Sequence, residues 1–252
     1  MKTRVIIATL GERPSLKETL GSIEKQNINE LEIKIVCPKD SLSKVRQIAQ
    51  ECHLSNFELV EDSGKGLSAA INQGYEVPGD FEYFCWINDD DELTMKSLER
   101  SISFLEVNQN FCAVIGSLRY TRKAKSINLQ NRVTPLNLLI SKIGPNIITQ
   151  PGSLIRRTAI NEGKLLCEKY KYAMDLDMWL RIMRNGKIGI INEIQAVMKW
   201  HKDSITVTNR RMASIEAFQI RMSYSQNLTR RVLVVIFYLP TRLLSSVFSK
   251  IG

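Results

Sequence analysis

The sequence predicts an α/β fold, a β-sheet layered by helices, and three observations point to it. Through the first 120 residues, short apolar runs alternate with stretches of helical periodicity. Those runs are bounded by turn residues and read as buried strands. The chain also has 252 residues with 44% apolar and 24% charged side chains, the composition of a globular protein with a sizeable buried core.

Taken in order, Val5 to Ala8 is the first strand, and Ser15-Leu16-Lys17-Glu18 after Pro14 is a capping box opening a helix to about Gln26. Glu32 to Val36 is a second strand. Leu42, Val45, Ile48, Ala49 and Cys52 then recur at helical spacing behind Asp40-Ser41. Phe57 to Val60 is a third strand and Gly66 to Gly74 a helix. Tyr83 to Ile87 is a fourth strand that runs directly into Asn88-Asp89-Asp90-Asp91. A helix from about Thr94 to Val107 and a strand from Ala113 to Leu118 complete this half. Near Tyr120 a polar stretch with Arg122, Lys123 and Lys125 begins, and Pro135, Gly144, Pro145 and Pro151 then break the chain. The expected organisation is therefore 1–120, 121–208 and a tail at 209–252.

The five cysteines form no CxxC pair, which argues against a zinc ribbon or a disulfide framework and fits a reducing compartment. With no leader pattern at the N-terminus, the expectation is a cytoplasmic protein. The net charge is +9, and from Asn209 onward seven Arg or Lys residues face one acid, Glu216. Such a tail suits an anionic partner, a membrane surface more than a nucleic acid. Val232 to Leu239 is apolar but far short of the ~20 residues that span a bilayer, and Pro240 is expected to stop it. Beyond it, Leu243, Leu244, Val247, Phe248 and Ile251 share one helical face, with Arg242 and Lys250 on the other. That pattern predicts an interfacial helix; docking on the protein's own core is the alternative.

Three consecutive carboxylates repel one another unless a cation offsets them. Asp89, Asp90 and Asp91 stand where a strand ends, the place where open α/β sheets bind ligands. Hard oxygen donors there suit magnesium or manganese on a diphosphate. A solvated turn capping the helix at Thr94 is the other reading of the same residues.

Gly64-Lys65-Gly66 to Ala70-Ile71-Asn72-Gln73-Gly74, followed by Trp86-Ile87-Asn88-Asp89-Asp90-Asp91-Glu92-Leu93, resembles the donor half of a family 2 glycosyltransferase. The resemblance, which covers Arg4 to about Thr208, implies the GT-A fold, a mixed central sheet flanked by helices; the amphipathic helical tail lies outside it. It implies an inverting enzyme that uses a divalent metal, Mn2+ or Mg2+, and a nucleotide-diphosphate sugar, with UDP the expected nucleotide. In that register Asp90 is the metal ligand. Thr9, Glu12, Lys65, Asn72, Asn88, Asp89 and Asp91 bind the nucleotide sugar. Cys37-Pro38-Lys39-Asp40 stands where the family reads the base with paired aspartates, and Ile71 replaces a common arginine.

Tyr172-Ala173-Met174-Asp175-Leu176-Asp177-Met178-Trp179-Leu180-Arg181 resembles the family's acidic helix. Asp175 then matches the general base, and Asp177 the second acid on the substrate side, though two residues apart on a helix they point about 200° apart. An N-cap is the plain alternative for Asp175. Gln150-Pro151-Gly152-Ser153 resembles the segment before the acceptor loop. His201, in His201-Lys202-Asp203-Ser204, matches a family motif whose histidine joins the metal or diphosphate; a structural histidine is the alternative. The expected acceptor is a lipid-linked saccharide, met at the inner face of the cell membrane. Two other classes fit parts of the sequence: a nucleotidyltransferase, whose glycine-rich loop Thr9 to Pro14 matches poorly, and a basic binding module without chemistry, which leaves the acids unexplained.

Overall fold

The computed structural model describes residues 2–26, 28–122, 125–131, 133–146, 148, 150–160, 163–200 and 208–248; at 122, 125–131, 200 and 240–248 it describes the backbone alone. Strands β1 (Thr3–Ala8), β2 (Leu31–Cys37), β3 (Phe57–Glu61) and β4 (Tyr83–Asn88) run parallel in the order β3-β2-β1-β4. Helices α1 (Leu16–Glu24), α2 (Leu42–Glu51) and α3 (Leu67–Glu76) connect them in turn. Successive side chains of a strand point to opposite faces, so an all-apolar strand needs cover on both. β1 has it: Val5 and Ile7 pack with Leu16, Leu20 and Ile23 of α1, while Ile6 packs with Ile71 of α3. β4 divides likewise, with Tyr83, Cys85 and Ile87 in the first core and Phe84 and Trp86 in the second. Full burial of each such side chain contributes about 1.5–3 kcal/mol.

Gly74 lets α3 lie directly on β1, since a Cβ there would meet Ile6 Cγ2 at 2.6 Å. Fully buried Arg4 fastens the same corner. Its guanidinium donates to Glu32 Oε2 at 3.0 and 3.1 Å and to the carbonyls of Tyr75 and Val77 at 2.8 and 2.7 Å.

The rest of the sheet is mixed. β8 (Leu154–Arg156) is antiparallel to β4 and to β6 (Phe111–Arg122). β9 (Lys187–Trp200) runs parallel to β6 from Phe111↔Lys187 to Arg122↔Trp200, and β5 (Asp91–Leu93) pairs antiparallel with β9. β7 (Lys125–Asn131) folds back on β6 as a hairpin. Helices α4 (Ser97–Val107), α5 (Pro135–Ser141), α6 (Met174–Asn185), α7 (Arg210–Tyr224) and α8 (Leu228–Phe248) complete the described chain. This is the expected mixed α/β sheet with flanking helices.

Several local expectations are corrected. Ser15 lies in a helical conformation with no side-chain cap bond, because a turn from Arg13 O to Leu16 N already includes it. The capping box forms instead at Thr134 and Asn137, ahead of α5. The helix expected from Thr94 starts at Ser97, since residues 91–93 are drawn into the sheet by β9. The polar stretch after Tyr120 is largely strand β7. Pro240 does not end its helix: α8 runs through it to Phe248. The proline removes a single backbone donor, and the leucine-rich turns on either side sustain the helix. All five cysteines are free thiols.

Candidate active site

The acids sit at the carboxyl end of β4, beside the end of β1, where Ala8 pairs with Asn88. The chain leaving β1 therefore crosses the chain leaving β4. Thr9 Oγ1 donates to Asp89 Oδ2 at 2.6 Å and accepts the Gly11 N–H at 2.9 Å. Arg13 Nη1 then reaches both Asp89 Oδ1, at 2.9 Å, and Asp90 Oδ2, at 2.6 Å. One guanidinium thus bridges two of the three carboxylates and offsets their mutual repulsion.

Asp91 has a different setting. It is 1% exposed, accepts the Asn88 side-chain amide at 3.0 Å, and is held by β5 against β9. Burial, with the neighbouring Asp90 and Asp89 charges, pushes its pKa up to about 7. Thr19 of α1 donates to its carbonyl at 2.8 Å. Of the triplet, Asp90 is the acid not fully buried.

Glu12 and Lys65 are exposed at this edge, and Lys65 contributes positive potential at Glu168. Asn72, expected to touch the donor, is buried and bonded within the protein. It donates to Leu166 O at 2.9 Å and Glu168 Oε1 at 3.1 Å and accepts the Leu166 N–H at 2.8 Å. It fastens α3 to the loop that leads into α6, and Ser68 does the same through Tyr170 O at 3.2 Å.

Asp175 is the second residue of α6. The Leu176 N–H reaches its Oδ1 at 2.8 Å and the Asn146 amide its Oδ2 at 3.2 Å. Although part of the residue stays exposed, atoms crowded around the carboxyl raise its pKa; these two donors and the Arg221 charge oppose that rise. Asp177 points the other way, into the protein, accepting from Arg181 Nε at 3.2 Å and Tyr224 Oη at 3.1 Å.

Two connections tie the segments around Asp175 to the edge that carries the acids. The loop before α6 rests on the N-terminus of α3, which follows the carboxyl end of β3. Asn146, the donor to Asp175, is four residues from Gln150, whose amide donates to Trp86 O just before Asn88. His201 lies outside the described residues. Among the described residues no group of three His, Cys, Asp or Glu side chains could hold a metal. A nucleotide-bound Mg2+ or Mn2+ does not need such a cage, because one or two carboxylates plus substrate phosphate oxygens suffice. Asp90, the least buried acid, could supply one such oxygen, although Arg13 already pairs with its Oδ2 and would have to share or yield it. Arg13 is the residue of this site that sequence reasoning missed; its signal was an arginine just after a strand adjacent to the acidic one.

A mixed sheet of this order, with clustered acids at one carboxyl edge and a second acid on a covering helix, is the GT-A build of sugar-transferring enzymes. The glycosyl transferase family 2 model matches residues 4–163, and the chain belongs to that family. It is a glycosyltransferase. Among relatives, it is 19% identical over 234 residues to the GalNAc(5)-diNAcBac-PP-undecaprenol beta-1,3-glucosyltransferase of Campylobacter jejuni, covering 88% of this chain and 72% of the relative. Residues 1–349 of TarS from S. aureus, in complex with UDP-GlcNAc, superpose with a TM-score of 0.68 at 15% identity, covering 94% of this chain and 71% of that one. The mannosyltransferase PcManGT from Pyrobaculum calidifontis, in complex with GDP-Man and Mn2+, gives 0.68 at 17% identity, covering 100% and 75%.

Proposed function

We propose that this chain is an inverting transferase that moves a sugar from a nucleoside-diphosphate donor, UDP being the expected nucleotide, to a hydroxyl of a lipid-linked saccharide. Residues 1–120 bind the donor, 121–208 the acceptor, and 209–252 a membrane surface on the cytoplasmic side. The observation that carries the reading is Asp175, a carboxyl of raised proton affinity at a partly open position, in segments tied to the edge that carries the acids.

Asp175 takes the proton of the acceptor hydroxyl as that oxygen attacks the anomeric carbon. The new oxygen–carbon bond forms on one face, the bond to the diphosphate breaks on the other, and the nucleoside diphosphate leaves with the electron pair. Thr9 and Arg13 hold Asp89 and Asp90 in place beneath the diphosphate. Asp90, with His201 as a second donor, would hold the divalent cation, which when bound supplies charge neutralisation for the leaving group. The lipid-linked acceptor is supported by the undecaprenol-linked substrate in the Campylobacter relative's name and by the apolar, basic tail.

The test is sugar transfer, or the slower hydrolysis of the donor in which water replaces the acceptor. Asp175→Asn should lose a factor of about 10²–10⁴ in kcat, the usual worth of a positioned base. Asp90→Ala should lose metal-stimulated turnover. Near-normal rates in either variant would defeat the assignment. Calorimetric absence of manganese-dependent UDP binding would favour a binding module, and pyrophosphate release a nucleotidyltransferase.

A further inference from the structure

We propose that Glu216, on α7, is a positioning residue that fixes Asp175 from outside the donor fold; the proposal rests on Asp175 being the base. The backbone N–H groups of the first turn of a helix have no partner within the helix, and here Ala173 occupies the cap position without a side-chain oxygen to offer. Glu216 reaches this end of the helix from across the structure, taking the N–H of the cap residue and of the two residues before it. Its carboxylate accepts the Lys171 N–H at 3.1 Å, the Tyr172 N–H at 2.7 Å and the Ala173 N–H at 3.1 Å. These are charge-assisted bonds at the positive end of the α6 dipole, directly before the residue pair that carries Asp175.

The same helix holds the neighbourhood from a second side. Arg221 Nε donates to Ser141 O at 3.0 Å, at the end of α5, and the chain runs from there to Asn146, the donor to Asp175. Further along, Ile220 packs on Ala173, Leu176 and Leu180, and Tyr224 Oη meets Asp177. Ile220 and Tyr224 keep α7 docked on α6 whatever stands at 216. Loss of Glu216 therefore frees one turn and leaves the fold intact. A base displaced by about 1 Å can cost 10²-fold in rate.

The experiment uses the full chain with Mn2+ and, as probes, UDP-glucose, UDP-N-acetylglucosamine and GDP-mannose, following hydrolysis. Glu216→Ala should lower kcat roughly 10- to 100-fold at unchanged KM. Glu216→Gln, which keeps an accepting oxygen without the charge, should fall between Ala and wild type. Hydrogen exchange should quicken over residues 170–178 and stay unchanged in β1 and β4. Wild-type kcat in Glu216→Ala overturns the proposal. So does a joint fall of kcat, donor affinity and Tm, which would mean general support of the fold. Wild-type kcat in Asp175→Asn removes the base itself and the proposal with it, a result the Glu216 variants cannot mimic.

Discussion

At the scale of single residues, the proposed chemistry turns on how Asp175 holds its proton. Only the ionised carboxylate can act as base, so a raised pKa moves the acid limb of the rate profile above the ordinary carboxylate value of about 3.9. The sign for folding follows. A carboxyl that binds its proton more tightly when folded favours the native state most at low pH, and that contribution is lost as pH rises through the folded pKa. Asn146 opposes the shift by donating to the ionised form. Asn146→Ala should therefore move the limb further up. A kcat profile between about pH 4 and 8 checks it, and coincident limbs would sink the idea. The resemblance singled out Asp90 and Asp175 as candidates from motif order alone. It could not show that Asn72 bonds to Leu166 and Glu168, or that Arg13 bridges two acids, because both facts depend on segments 70 to 100 residues apart meeting in space.

Among the elements, the first four strands and three helices were legible because each is a local apolar run or helical repeat bounded by polar turns. β5 and β8 were not, since three residues carry no period and exist as strands only through their partners. The junction of β6 and β9 was equally hidden. There the register slips between Gly116 and Ser117, and the side chain of buried Gln195 fills the space beside two glycines. A methyl on Gly116 would collide with Gln195 Cγ, and one on Gly152, whose φ is +74°, would meet Gln195 Cβ at 2.7 Å. Gly116→Ala should cost about 1–3 kcal/mol by overpacking, read as a lower Tm. Gly21→Ala, where an added Cβ meets nothing within 4 Å, is the matched comparison. Equal melting of the two would contradict this account.

For the molecule as a whole, the proposed membrane contact falls on the tail. Among the described residues, no helix is long and apolar enough to cross a membrane. Yet α8 exposes Leu228, Ile236 and Leu239 at 77%, 54% and 53%, and α5 leaves Leu136 and Leu139 similarly bare. With Arg231 exposed and Arg230 partly so, that is the composition of a helix lying in an anionic interface. Full-length protein should float with anionic liposomes and residues 1–227 should not, and added salt should weaken the binding. Equal flotation of both forms would exclude the tail.

The long pairing of β6 with β9 has a consequence for how substrates are enclosed. Twelve residues of one strand lie alongside fourteen of the other, and through β8 and β5 they tie both ends of the reaction site into one sheet. Opening the sheet between these strands would break a long run of ladder hydrogen bonds, which disfavours a clamshell motion there. On the proposed reading, any closing over the donor would then fall to the connecting segments at the carboxyl edge more than to the sheet itself.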